Sequence, residues 1–184
     1  MQVSYFRIRQ QLTEALLELP LVTDALERKQ AGSVRQLIDL LQRAEQLLIE
    51  NRMRQAADLA ANRAALVAVG LDESGGRSRQ RQRRCALERI GPIGAALAEA
   101  LAPLEQRIES ARLPARQLLQ LIAASGAIVL NGDRDLTDLV ERIWQLATEH
   151  DQLKSLATQI RVALNRQDIP LLLAEEIDLA DFAA

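Results

Sequence analysis

The chain of 184 residues holds one cysteine, Cys85, and one histidine, His150. A lone cysteine excludes an intrachain disulfide and suits a reducing compartment. The same two counts exclude zinc sites of the Cys and His type within one chain, as well as the two Glu-x-x-His pairs of a di-iron bundle. Aromatics are almost absent: Tyr5, Phe6, Trp144 and Phe182 are all there are. Strands draw on aromatic and β-branched side chains, so a sandwich or stacked-sheet core is excluded. No long apolar run occurs either. The uncharged stretch Leu118 to Leu130 has thirteen residues, short of the roughly 20 that cross a bilayer, and reads as a buried core helix. No apolar core follows the arginine-bearing N-terminal stretch Met1 to Gln11, so no signal peptide is expected and the chain is read as cytoplasmic.

What is present favours helices. Leucine and alanine make up about a third of the chain, the rest is rich in Gln, Arg and Glu, and these residues lose least on entering a helix. Arginine outnumbers lysine by 21 to 2, which points to a GC-rich bacterial genome. The formal net charge of −2 supplies no overall field to attract nucleic acid or an anionic membrane, so any such binding must come from a local patch. A chain of this length buries about 70% of the surface its unfolded form exposes. The fold class expected is an all-α bundle of six to eight helices, a single domain over 1–184, with two helical halves sharing one core.

Breakers divide the pattern. A first helix is expected from Ser4, a capping residue, to Leu19, with Tyr5, Ile8, Leu12, Ala15 and Leu19 on one stripe, stopping before Pro20. A short helix then runs from Leu21 to Gln30. Ser33 caps a third with Val34, Leu37, Leu41, Ala44 and Leu48 inward, and residues 33–69 suit either one long helix or a hairpin. Leu71 to Arg84 has no apolar periodicity. It is expected to be a flexible arginine-rich loop between halves 1–70 and 85–184. The second half begins with Cys85 to Ile90, is interrupted by Gly91, Pro92 and Gly94, and resumes with Leu97, where Pro103 kinks or restarts the helix. Pro114 starts a further helix ending near Asn131 and Gly132. Asp135 is placed as the cap of the next, and Asp168 with Pro170 as the cap of a last one through Glu175 and Glu176.

The strongest periodicity runs from Leu136 to Leu164. Leu136, Leu139, Ile143, Leu146, His150, Leu153, Ala157, Ile160 and Leu164 form a four-heptad seam whose one polar member is the histidine. On that seam His150 is expected to be buried and pH-sensitive. A weaker recurrence appears at Leu47, Ile128 and Val162, each an apolar helix end followed by an asparagine and a new apolar run. Tight helix-to-helix turns with a left-handed asparagine explain it without duplication.

The search for chemistry is mostly negative. Asn131, Asp133, Asp135 and Thr137 alternate as in a calcium loop, yet Leu136 replaces the required glycine and Arg142 the closing carboxylate, with Glu141 one residue early. Gly70 to Ser78 resembles a phosphate loop only loosely, without the lysine. His150 sits on an apolar seam, and Cys85, beside two arginines, reads as a small buried hydrophobe. No catalytic, metal or cofactor site emerges, and the chain is read as a non-enzyme. Arg77, Arg79, Arg81, Arg83 and Arg84 form a cationic tract that can contact an anion or a partner. No aromatic is interleaved for base stacking, so nucleic acid is the second reading. The acidic tail, Asp168, Glu175, Glu176, Asp178 and Asp181, reads as a solvated face.

The run Ile160, Ala163, Leu164, Asp168, Leu172, Ala174 and Glu175 resembles the terminal helices of uncharacterised helical proteins found near bacterial motility genes. The leucine-rich long helices are similar to those of flagellar export chaperones. That resemblance implies a protein that binds a partner's helix in a groove. Together with the composition it gives the expected function: protein binding or self-association through helices, adaptor- or chaperone-like, without a membrane partner.

Overall fold

The computed structural model describes residues 4–71, 76–128 and 135–182. Among them are seven α-helices and no strand: α1 (Tyr5–Glu27), α2 (Ser33–Glu50), α3 (Ala56–Leu71), α4 (Gly76–Ser125), α5 (Leu136–Glu149), α6 (Lys154–Ala163) and α7 (Asp168–Glu176), followed by a 3₁₀ turn, Leu179–Phe182. The all-α expectation holds. The chain forms two compact units, Arg7–Pro103 and Met1–Phe6 with Leu104–Ala184. The division expected at 71–84 is therefore displaced. Residues 76–84 open α4, because Arg and Gln are strong helix formers whether or not an apolar stripe runs through them. Residues 72–75, the calcium-loop positions Asn131 and Asp133, and the helix end placed at Asn131 and Gly132 lie outside the described residues.

Proline misleads in this chain. All five prolines lie within helices, so α1 runs through Pro20 and absorbs the short helix expected after it. α4 likewise runs for 50 residues through Pro92, Pro103 and Pro114. A helical proline orphans the carbonyl four residues back. In α4 those residues are Glu88, Glu99 and Ser110, all exposed, so water can take the missing bond.

The three prolines stand eleven residues apart and open blocks of one pattern. Ile93, Leu104 and Ala115 fill one inward position, Leu97, Ile108 and Leu119 the next, Ala100, Ala111 and Ile122 the third, each 9% exposed or less. Eleven residues span three turns at about 3.67 per turn, so positions eleven apart return to the same side of the helix.

In the unit Arg7–Pro103, α2 and α3 form a hairpin. Leu37, Leu40, Leu41, Ala44 and Leu48 are buried, the face expected for α2 with Leu40 added and Val34 at its margin. The turn uses Arg52 as the left-handed residue (φ 55), while Asn51 at the C-cap keeps φ −98. Its bonds, Arg52 N–H to Ile49 O at 3.0 Å and Met53 N–H to Leu48 O at 2.9 Å, form a Schellman motif. Asn51 contributes by donating its side-chain amide to Leu47 O at 2.8 Å. The end of α1 repeats the motif with Lys29 (φ 58), whose N–H bonds Leu26 O at 3.2 Å while Gln30 bonds Ala25 O at 3.0 Å. Arg63 grips Glu45 through two bonds, at 2.6 and 3.2 Å, tying α3 to α2. Arg89 and Gln82 reach from α4 to Asn62 Oδ1 at 3.0 Å and Leu66 O at 3.1 Å. Gly70 leaves room for the Gln82 side chain, which a Cβ there would displace.

In the other unit the long heptad helix is broken. α5 ends at Glu149, and His150 is its C-cap in extended conformation (φ −85, ψ 123). Glu149, His150, Asp151 and Gln152 are four consecutive exposed residues. With no apolar anchor on that turn, nothing holds the helix straight. The His150 carbonyl instead accepts the N–H groups of Leu153 and Lys154, at 3.0 and 3.2 Å, and starts α6. The buried face of α5 is Leu139, Val140, Ile143 and Ala147, leaving Leu136 and Leu146 at its edge. One core joins Phe6 of α1, Ile108 to Ile122 of α4, and the inward faces of α5, α6 and α7.

Candidate interaction site

The tract Arg77, Arg79, Arg81, Arg83 and Arg84 is helical, and this changes its geometry. At 100° per residue, positions 77, 81 and 84 share one stripe of α4 while 79 and 83 lie on the opposite side. The helix splits what looks continuous in sequence. Arg79 and Arg81 are exposed; Arg84 is ion-paired with Glu88 at 2.9 Å. Arg83 is half-buried, and its Nε is buried without a hydrogen-bond partner. Cys85 is half-buried on the same helix.

His150, expected in the core, is exposed. The structure therefore removes it as a pH-sensitive core position: as the C-cap of α5 it projects from the polar turn. Asp135 does stand at the N-cap of α5, but its side chain makes no capping bond.

Among the described residues the most deeply buried polar one is Asp168, at 0% exposure. It stands in the first turn of α7, yet its carboxylate caps a different helix. It accepts Tyr5 N–H at 2.9 Å and Phe6 N–H at 3.3 Å, and Ser4 Oγ donates to it as well. Ser4, the residue immediately before α1, thus donates its hydroxyl to this carboxylate. A carboxylate at a helix N-terminus satisfies orphan amides and meets the positive end of the dipole. At the other end of α7, the side chain of Glu176 is only 5% exposed and pairs with Arg112 and Arg116 of α4. Arg112 extends the network to Glu175 at 3.1 Å and Glu109 at 3.2 Å. The hydrogen bond that Arg116 donates to Glu176 first, and the Glu176 charge second, hold the Arg116 guanidinium above the usual arginine range. Burial of Asp168 and Glu176 corrects the reading of this acidic tail as a solvated face. The signal was present as carboxylates eight residues apart, two turns along one face of a helix.

Other residues face outward where an apolar side chain gains nothing from burial. Leu17 and Leu21 on α1, Leu113 and Leu121 on α4, and Val162 on α6 are each more than half exposed. No described helix is long and apolar enough to cross a membrane, and no group of three or more His, Cys, Asp or Glu suited to a metal occurs among the described residues. Comparison with protein families, curated proteins and solved structures finds no match to this chain.

Proposed function

We propose that this protein works by binding another protein through its helices, in an adaptor- or chaperone-like role, with no catalytic centre of its own. The observation that carries the reading is leucine exposure at helical spacing. Leu17 and Leu21 are four apart on α1, at 68% and 71% exposure; Leu113 and Leu121 are eight apart on α4, at 65% and 52%. Single exposed leucines are ordinary, but pairs on one stripe form the apolar ridge against which an amphipathic helix or a second copy packs. Such ridges on an otherwise polar face are costly in water unless something covers them.

The test uses the full chain as bait beside two paired variants, Leu17→Glu with Leu21→Glu and Leu113→Glu with Leu121→Glu. The expected result is a stoichiometric protein partner, or a second copy on a sizing column, retained by the parent chain and lost by one paired variant whose circular dichroism is unchanged. Equal retention by all three sinks the reading. Nucleic-acid binding is the rival. It is supported by positions 77, 81 and 84 sharing a stripe, and weakened by the engagement of Arg84 with Glu88.

A further inference from the structure

We propose that α7 occupies, in cis, a seat that accepts an acidic amphipathic helix from a partner protein. This inference rests on the protein-binding reading and gives it a place and a chemistry. α7 has nine residues, and isolated helices below about 12 residues are marginal in water. Its conformation therefore depends on what it sits against. The seat recognises it at three points. Two backbone N–H groups at the start of α1 and the Ser4 hydroxyl take the Asp168 carboxylate. An apolar floor takes Ile169, Leu172 and Leu173, all 2% exposed or less. The Arg112 and Arg116 guanidiniums take Glu176.

None of these receiving groups is particular to this segment. Backbone donors and a pair of guanidiniums one turn apart bind any carboxylate presented at the right spacing. The seat thus reads a pattern: an acid, an apolar residue next to it, an apolar pair one turn on, and a second acid two turns from the first. Charge complementarity fixes the class of occupant. A basic or neutral helix removes the acidic partners Glu175 and Glu176 and leaves only Glu109 of α4 beside the half-buried Arg112. The cis segment is joined to α6 by only four residues, Leu164, Asn165, Arg166 and Gln167. It therefore competes at a high effective concentration, and a partner gains the seat when α7 is released.

The test is fluorescence anisotropy with a labelled peptide of the Asp168–Phe182 sequence, added to the full chain and to the full chain carrying Glu176→Arg. Charge reversal at position 176 sets a third guanidinium against those of Arg112 and Arg116 and frees the seat. The variant is expected to bind the peptide at least about tenfold more tightly than the parent, whose own segment competes. A peptide carrying Glu175→Arg and Glu176→Arg should not bind. A variant that is helical by circular dichroism yet binds neither peptide overturns the proposal. If the variant fails to fold, hydrogen exchange on the parent chain decides. Amides of α7 that open before those of α5 support a releasable segment, and α7 amides that exchange only with global unfolding refute it. The leucine variants above are untouched by this assay, so its failure and the failure of the protein-binding reading are told apart.

Discussion

The carboxylate of Asp168 accepts the backbone N–H of Tyr5 at 2.9 Å across 163 positions of sequence, so the last α-helix supplies the cap of the first. The arrangement closes a non-local contact with a charged hydrogen bond inside a fully buried site. Hydrogen bonds to charged groups contribute about 1.5–3 kcal/mol each, and an orphaned buried donor costs about 1–3 kcal/mol. Asp168→Ala is therefore expected to destabilise by about 3 kcal/mol, read from the midpoint of urea unfolding. Asp168→Asn, which keeps one acceptor oxygen, should lose less. Ser4→Ala combined with Asp168→Ala should cost less than the sum of the two, since both remove one network. Additive losses would show that the Ser4 hydroxyl is not part of the cap.

A second prediction concerns the helix ends that use a long cation where glycine is the usual choice. Lys29 and Arg52 hold φ values of 58 and 55 in Schellman turns, and the left-handed region costs an L-residue about 1–2 kcal/mol. Glycine removes that strain but gives back some entropy in the unfolded chain. Lys29→Gly and Arg52→Gly should each raise stability by about 0.5–1 kcal/mol, a melting shift of about 1–4 °C for a chain of this size. A fall in melting temperature would mean that the side chains contribute more to the fold than their exposed positions allow.

How much of this was legible in the sequence depends on which signal each element used. The inward face of α2 and the bounds of α7 follow from apolar spacing, and the structure reproduces both, whereas the spacing left residues 33–69 open between one helix and a hairpin. The prolines were the main source of error. Read as helix ends, they cut α1 and α4 where the helix continues, because Glu88, Glu99 and Ser110, four residues before the α4 prolines, face solvent. Reading Pro92, Pro103 and Pro114 as the start of an eleven-residue repeat would have recovered α4. The break at His150 was hidden for the opposite reason: a heptad continues numerically through a turn that carries no breaker. The seat of α7 was invisible because its partners, Arg112 with Glu176 and Ser4 with Asp168, are 64 and 164 residues apart, and a single sequence carries no sign of such pairing.

The break at His150 makes a third prediction that separates the two readings of α5. A histidine on a packed seam would gain stability on conversion to leucine. An exposed C-cap residue should not, and His150→Leu is expected to change stability by no more than about 0.5 kcal/mol. Ile143→Ala, two turns earlier on the same expected seam and at 0% exposure, should cost about 2–5 kcal/mol through lost burial and the cavity left behind. Denaturant midpoints of the two variants give the comparison directly. A large gain from His150→Leu would restore the continuous helix.

The last prediction is the salt dependence of nucleic-acid binding, because helix geometry now bounds it. A flexible loop could lay all of Arg77, Arg79, Arg81, Arg83 and Arg84 along a phosphate backbone. On α4 only positions 77, 81 and 84 share a stripe, and Arg84 already holds Glu88. Each phosphate contact on duplex DNA contributes a slope of about −0.9 in log affinity against log salt, so three contacts cap it at about −2.7. The net charge of −2 adds no long-range attraction. We expect no sub-micromolar complex with duplex DNA at about physiological salt, where the Debye length is about 8 Å, and a slope no steeper than that cap at low salt. Replacing all five arginines with glutamine should leave the helix content intact, since glutamine and arginine have similar helix propensity. A tight complex with a slope near −4.5, the value for about five contacts, lost in the glutamine variant, would show that 76–84 unwinds on the nucleic acid and would make it the partner.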